Sequence, residues 1–194
     1  MSDISELEAI VNELSVEKLK NYVINYAETN EIFKREFLYY FAGKSDDQLR
    51  IDFYREKIQI IFYKYAHRGF IDYKSAGNYA DEINDMLTIP ADRLCNRGIY
   101  YEAFSMLAAN VLELQKGFES VEYEVELSDI FTDCIDTLQN LLSKKIPLDL
   151  LQKIYEWLEK EAENPIYADY VYEDADRLKE LKLKAQGMLE AKED

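Results

Sequence analysis

At 194 residues, with 48% hydrophobic and 32% charged side chains, the chain can bury a core of its own and is not a disordered segment. Six glycines and three prolines are too few for the many tight turns of a β-sandwich or barrel, which favours long helices. The net charge of −16 repels phosphate backbones and anionic lipid surfaces, so direct nucleic-acid binding and membrane docking are disfavoured.

The charge is unevenly placed. Residues 1–97 hold 13 basic and 17 acidic side chains, residues 98–194 hold 10 and 22, and no Lys or Arg occurs between Gly117 and Ser143. An acidic surface by default only keeps a protein in solution. Cys95 and Cys134 are too few for a disulfide framework, and free thiols in apolar helical context suit a reducing compartment. The opening MSDISELEAI lacks the basic-then-apolar pattern of a secretory signal, and Ile58–Phe62 is too short to cross a bilayer. A cytoplasmic location is expected.

Apolar residues return every third or fourth position almost throughout. Leu7, Ile10, Val11 and Leu14 predict a first amphipathic helix. Ser15 is placed to cap a second, carrying Leu19, Tyr22, Val23 and Tyr26, and Asn30 a third, carrying Phe33, Phe37, Tyr40 and Phe41 and stopped by Gly43. Ser45 and Gln48 have capping-box spacing and open a long helix with Ile51, Tyr54, Ile58, Ile61, Phe62 and Tyr65 on one face. Gly69 is expected to end it, with His67 and Arg68 in the last turn, where positive charge suits the helix dipole. Asp72 caps the next helix, with Ala76, Tyr79, Ala80, Ile83 and Leu87 inward, and Pro90 should break or kink it.

From Gly98 onward, Tyr100, Ala103, Phe104, Leu107, Ala108, Val111 and Leu114 give the clearest helix of the chain. Another is expected from about Tyr123 to Leu142, through Leu127, Ile130, Phe131, Cys134, Ile135 and Leu138. Pro147 opens a helix holding Leu150, Leu151, Ile154, Trp157 and Leu158, and Asn164-Pro165 closes it. Residues 165–173 read as an aromatic loop, Asp174 as the cap of a final charged helix through Leu178, Leu181, Ala185, Met188 and Leu189, and residues 190–194 as a frayed tail.

With short connections and no Gly/Ser-rich linker, residues 1–194 are expected to form one all-α domain, with a soft joint near 69–72 or 88–98. Its antiparallel helical hairpins would stack as a short α-solenoid of the tetratricopeptide or HEAT kind, or as a helical bundle.

Gly98-Ile99-Tyr100-Tyr101-Glu102-Ala103 has the Gly-x-x-Tyr-x-Ala form that opens many tetratricopeptide helices, but Asn110 and Gly117 stand where small alanines are expected. The resemblance is to a single tetratricopeptide-like hairpin. Two longer stretches, Leu14–Leu19 continuing to Phe33–Phe37, and Arg68–Ala76 with the helix after Gly98, resemble an α-helical repeat region of bacterial proteins often found beside SWIM-type zinc fingers. That resemblance covers about residues 7–160 and implies a solenoid-like domain of uncharacterised role. The zinc finger is absent, since one His and two distant Cys cannot supply its ligands. SVEYEVE, residues 120–126, replaces the Asp/Ser/Gly stretch of that region.

Reactive chemistry is sparse. His67 is the sole histidine, with no nucleophile near it in sequence. Asp81 with Asp85, Asp129 with Asp133, and Asp133 with Asp136 share helix faces and could pair oxygens on a divalent ion, though the Glu-x-x-His pairs of a di-metal bundle are missing. Phosphate-cradling, dinucleotide-binding, nucleophile-elbow and His-Glu-x-x-His motifs are all absent. No catalytic, cofactor-binding or metal-ligating residue is assigned.

Sixteen tyrosines are the compositional oddity. Most fall at core spacing, whereas Tyr167, Tyr170 and Tyr172 cluster with Asp169, Glu173 and Asp174. With Tyr101 they are the candidate partner-contacting residues, because aromatic anchors dominate interface energetics; the rival role is covering one end of the stack. The expected function is a non-enzymatic binding or scaffold module for a protein or peptide, basic in character to match the acidic half, in a groove between the Gly98–Leu114 hairpin and its neighbours. The alternative is a small helical enzyme working through a carboxylate-bound divalent metal at Asp81 and Asp85. A third reading is a regulatory subunit of a genetic neighbour, with an exposed helix face serving as a dimer interface.

Overall fold

The computed structural model describes residues 9–30, 33–34, 37, 47–122 and 125–193; the stop expected at Gly43 and the cap expected from Ser45 lie outside them. Two compact units divide the chain, residues 1–45 and 46–194. The described residues are helical apart from connections and two isolated β-bridges, and no described helix is long and apolar enough to cross a membrane.

In the first unit, α1 spans Val16–Thr29. Ser15 takes an extended backbone and its hydroxyl accepts from the Lys18 amide at 3.3 Å. Asn30 ends α1 and its side chain accepts from the Phe33 amide at 2.9 Å, capping the turn that follows. Rings line up along one side: Tyr22 stacks on Tyr26 and Tyr26 meets Phe33 edge-on.

The second unit contains α2 (Asp47–Tyr65), α3 (Tyr73–Ile83), a π-helical segment (Asn84–Thr88), α4 (Ile89–Asn96), α5 (Tyr100–Gly117), α6 (Val125–Leu141), α7 (Leu148–Glu161), α8 (Ile166–Tyr170) and α9 (Tyr172–Glu193). Helix α5 is the centre. Thirteen of its residues are buried, on every side of the helix, and α2, α4 and α6 all pack against it. Small residues set the spacing: Ala103, Ser105, Ala108 and Ala109 are all buried, and a Cβ on Gly117 would stand 3.1 Å from Leu127. Contacts run in step along α2 and α5, Tyr54 with Glu102 and Gln59 with Glu113, so these two lie parallel. Helix α6 runs antiparallel to α5, Gly117 meeting Leu127 and Asn110 meeting Cys134.

Four local expectations change. Helix α2 ends at Tyr65, so His67 and Arg68 are not in its last turn. Arg68 (φ 54°) and Gly69 (φ 81°) are both left-handed, and paired left-handed residues make a primed hairpin turn instead of a helix stop. His67 and Phe70 close it with two backbone bonds of 2.8 and 3.2 Å, after which buried Ile71 pairs with Ser120 and Glu122. Pro90 does not break the helix. The five-residue π segment just before it carries an Ile89 N–H bond to Asn84, five residues back, so the helical path accommodates the proline and continues to Asn96. Within 165–173, residues Ile166–Tyr170 form a short helix whose first amide bonds to the Asn164 side chain at 3.2 Å. The last helix starts at Tyr172 and reaches Glu193, past the tail expected from 190; Asp174 lies inside its first turn, accepting from Thr132 at 2.6 Å and Arg177 at 2.8 Å.

Cys95 and Cys134 are free and buried. Burial pushes the Cys134 thiol up to about 12 and raises that of Cys95. Neither should react with a water-soluble disulfide reagent in the native protein at about pH 8, and both should react once the chain is unfolded. A native-state titre of one thiol within minutes would contradict this packing.

Candidate binding cleft

A helix buried on all sides must satisfy its polar side chains from its neighbours. Helix α5 carries four buried ones, Glu102, Ser105, Asn110 and Glu113, with Gln115 half-buried near its end. Ser105 bonds back to the Tyr101 carbonyl at 2.9 Å. Glu102 accepts from the Tyr54 hydroxyl; burial raises its carboxyl above the ordinary range against the pull of that bond. Asn110 donates to Thr88 of the π segment at 2.9 Å and to the Cys134 thiol at 3.2 Å. Gln115 donates to Glu161 at 2.6 Å and to the Tyr167 hydroxyl, which itself donates to Glu161 at 2.7 Å.

Glu113 differs in facing a cleft. Its Oε1 accepts from Arg55 Nε at 2.8 Å and from Lys116 Nζ at 3.0 Å, and its Oε2 from Gln59 Nε2 at 3.2 Å. Burial alone would raise this carboxyl, but the bonds from Lys116, Arg55 and Gln59 outweigh it and hold the group below its ordinary value. The cleft is a cavity of about 290 Å³ walled by Ile58, Phe62 and Tyr63 of α2, Gly69 of the hairpin, Tyr79 of α3, and Lys116, Gly117 and Ser120 beyond Glu113.

Tyr79 is the decisive residue. It is 1% exposed, with its ring edge-on to Phe62 and Tyr65, and its hydroxyl bonds to no described residue. Burial raises its pKa far above the ordinary tyrosine range, and the Glu113 charge adds to the shift.

The aromatic candidates are dispersed by the fold. Tyr167 is a core residue, 1% exposed and packed on Phe131, and so offers no surface to a partner. Tyr170 stacks flat on Phe118 at 5.1 Å between centroids, consistent with covering the end of the helices. Tyr172 is 68% exposed and bonds to Glu173, while Tyr101 is half-exposed and bonds to Asp149. No open groove runs along Gly98–Leu114, because α5 is enclosed; the opening lies at its C-terminal end.

His67 is exposed in the hairpin, and Asp81, Asp85, Asp129, Asp133 and Asp136 are all exposed. Asp136 is taken up by Arg177. A second cavity, about 270 Å³, opens beside the π segment and is lined by Asp92, Asp133, Asp136, Arg93 and Thr137 among others. Among the described residues no group of three His, Cys, Asp or Glu side chains is placed to hold a metal ion. Compared with known protein families, curated proteins and solved structures, the chain matches none.

Two tyrosine substitutions separate the roles. Tyr167→Phe should cost about 1–3 kcal/mol, since it removes from the core the hydroxyl that bonds both Glu161 and Gln115. Tyr79→Phe should change stability by less than about 0.5 kcal/mol, since its hydroxyl has nothing to lose in the free protein. Chemical denaturation of both variants checks this, and a Tyr79→Phe loss equal to that of Tyr167→Phe would contradict the cleft geometry. The same burial sets an alkaline limit. Tyr79 and Tyr167 keep their protons when folded, while unfolded tyrosine ionises near pH 10, so the unfolded state sheds protons first and stability falls as pH climbs beyond about 10. Tyrosinate absorbance should finish developing only as the helical circular dichroism is lost; complete ionisation with the helices intact would refute it.

Proposed function

We propose that this chain is a non-enzymatic binding module for a protein or peptide segment, and that the cleft beside Glu113 is where it takes hold. One observation carries the reading: a cavity of about 290 Å³, lined by Tyr79, Gln59 and Glu113 among others, opens at the C-terminal end of α5. The polar side chains elsewhere on α5 are engaged within the fold, and an arrangement of that kind supports structure more than turnover. The sequence flanking the bound group would be basic, because residues 98–194 carry 22 acidic against 10 basic side chains. A kinship with bacterial helical repeats found beside zinc fingers, and work in the cytoplasm, belong to the same proposal.

The test compares tagged full-length protein with a Ser120→Phe variant, which fills the cleft from its rim, in capture from the native host. A specific partner should be retained by the wild type, lost about tenfold or more with Ser120→Phe at unchanged circular dichroism, and weakened by about 0.5 M salt. Partners held equally by both proteins would refute the cleft as the site.

A further inference from the structure

The second cavity, about 270 Å³, lies where the π segment, α4 and α6 meet, and it shares no lining residue with the Glu113 cleft. On α6, Asp133 and Thr137 both border it, four residues apart and so on one face of the helix. The Asp133 carboxylate accepts no bond from any described residue. Thr137 is 7% exposed, and its hydroxyl likewise has no described partner. Five residues earlier on the same helix Thr132 turns its hydroxyl back to the Ser128 carbonyl at 3.0 Å, the usual refuge of a helical threonine, which Thr137 does not take. Nor is that hydroxyl sealed in: among the described residues the side-chain atoms enclosed without a partner are Asn110 Oδ1, Glu126 Oε2 and Trp157 Nε1. What remains open of Thr137 opens on the cavity.

Charge defines the guest. Asp92, Asp133 and Asp136 line the cavity, with Arg93 as the cation of the lining, and Arg93 makes no ion pair with a described carboxylate. Arg177 takes up Asp136, whereas Asp92 accepts from two neutral amides, Asn96 at 3.0 Å and Asn140 at 3.3 Å, which leave its charge in place. Helix α6 brings no cation of its own, since no Lys or Arg occurs between Gly117 and Ser143. Burial and the charges of Asp136 and Asp129 hold the Asp133 carboxyl above its ordinary range, the mark of a negative group that the fold leaves unanswered. A bare metal ion does not suit the arrangement, because among the described residues no three ligating side chains are placed to hold one. An organic cation supplies N–H donors along with its charge, and a carboxylate and a hydroxyl one turn apart can both accept from it.

We infer that this cavity seats an organic cation, a primary ammonium or guanidinium group, with Asp133 as its counter-ion and the Thr137 hydroxyl accepting a second N–H bond. The site is separate from the Glu113 cleft and does not rest on the reading given to that cleft. A Lys or Arg side chain of a partner segment and a free polyamine share this chemistry.

The test titrates the full chain calorimetrically at about 0.15 M salt, where diffuse attraction is screened. One arm takes spermidine and ethylguanidinium; the other takes short Lys or Arg peptides against the same peptides with norleucine or citrulline. Saturable binding is expected, weakened about tenfold by Asp133→Asn and by Thr137→Val at unchanged circular dichroism. Thr137→Val alters no charge, and so separates a site from the general pull of an acidic protein. Asp169→Asn removes one charge from an exposed position outside the cavity, and Ser120→Phe fills the other cleft; both should bind as the wild type does. Saturation by the small cations alone assigns a free polyamine, and tighter binding of Lys or Arg peptides than of their neutral counterparts assigns a partner side chain. Equal losses in Asp133→Asn and Asp169→Asn, binding that Thr137→Val leaves unchanged, or no saturable binding in either arm overturns the assignment and leaves solvated carboxylates only. A Ser120→Phe loss equal to that of Asp133→Asn overturns it as well, because the two cavities would then not be independent. If Thr137→Val fails to fold, Asp133→Asn against Asp169→Asn decides alone.

Discussion

From Glu102 to Val111 helix α5 has no face left for solvent, and that enclosure governs the second unit. Its polar side chains cannot be hydrated, so each must find a fixed partner on a neighbouring helix, and each pairing fixes where that neighbour sits. Glu102 fixes Tyr54, Glu113 fixes Arg55 and Gln59, Asn110 fixes Thr88 and Cys134, and Gln115 fixes Glu161 and Tyr167. Apolar burial drives the collapse, but it has no direction. The polar pairs give α2, the π segment, α6 and α7 their registers against one helix.

These pairs set geometry more than they add stability. Taking the Glu113 carboxylate and the Arg55 guanidinium out of water costs several kcal/mol per ion, and their attraction about offsets that loss. Arg55 remains partly exposed, which lowers the cost on its side. What the pair contributes is asymmetry: removing one member leaves the other as an unpaired buried or half-buried charge, so alternative packings of α2 on α5 are penalised. The small residues of α5 act with it, since Ala103, Ala108 and Ala109 permit the close approach that hydrogen bonds across the helices require.

Much of this fold was legible in the sequence. Ser15, Asn30 and Asp72 read as caps from residue type and spacing alone, and all three cap by side-chain hydrogen bonds. The hairpin at Arg68-Gly69 was not legible, because a single glycine after an apolar stripe signals a helix stop; the second left-handed residue, an arginine, carries no such mark. The site was harder to read still. The stripe read along α5 from Tyr100 to Leu114 gives Glu102 and Glu113 no role, although only three charged residues among its eighteen mark a largely enclosed helix. Tyr79 was correctly placed in the core, but whether its hydroxyl has a partner is a fact of tertiary structure that spacing cannot encode. Tyr167, Tyr170 and Tyr172 adjoin in sequence, yet a short helix turns them to three different environments.

The buried polar groups of the second unit that go without a partner differ from Tyr79. Asn110 Oδ1 is buried without a partner, while its amide nitrogen serves Thr88 and Cys134. Turning the amide over would satisfy the oxygen and strand the nitrogen, so one orphan persists in either orientation, at a cost of about 1–3 kcal/mol. That orphan is buried among packed helices, which makes it a structural cost of tying the π segment to α5 and α6. Tyr79 lines an open cleft instead, together with Gln59 and Glu113, so its hydroxyl can be hydrated where the Asn110 oxygen cannot.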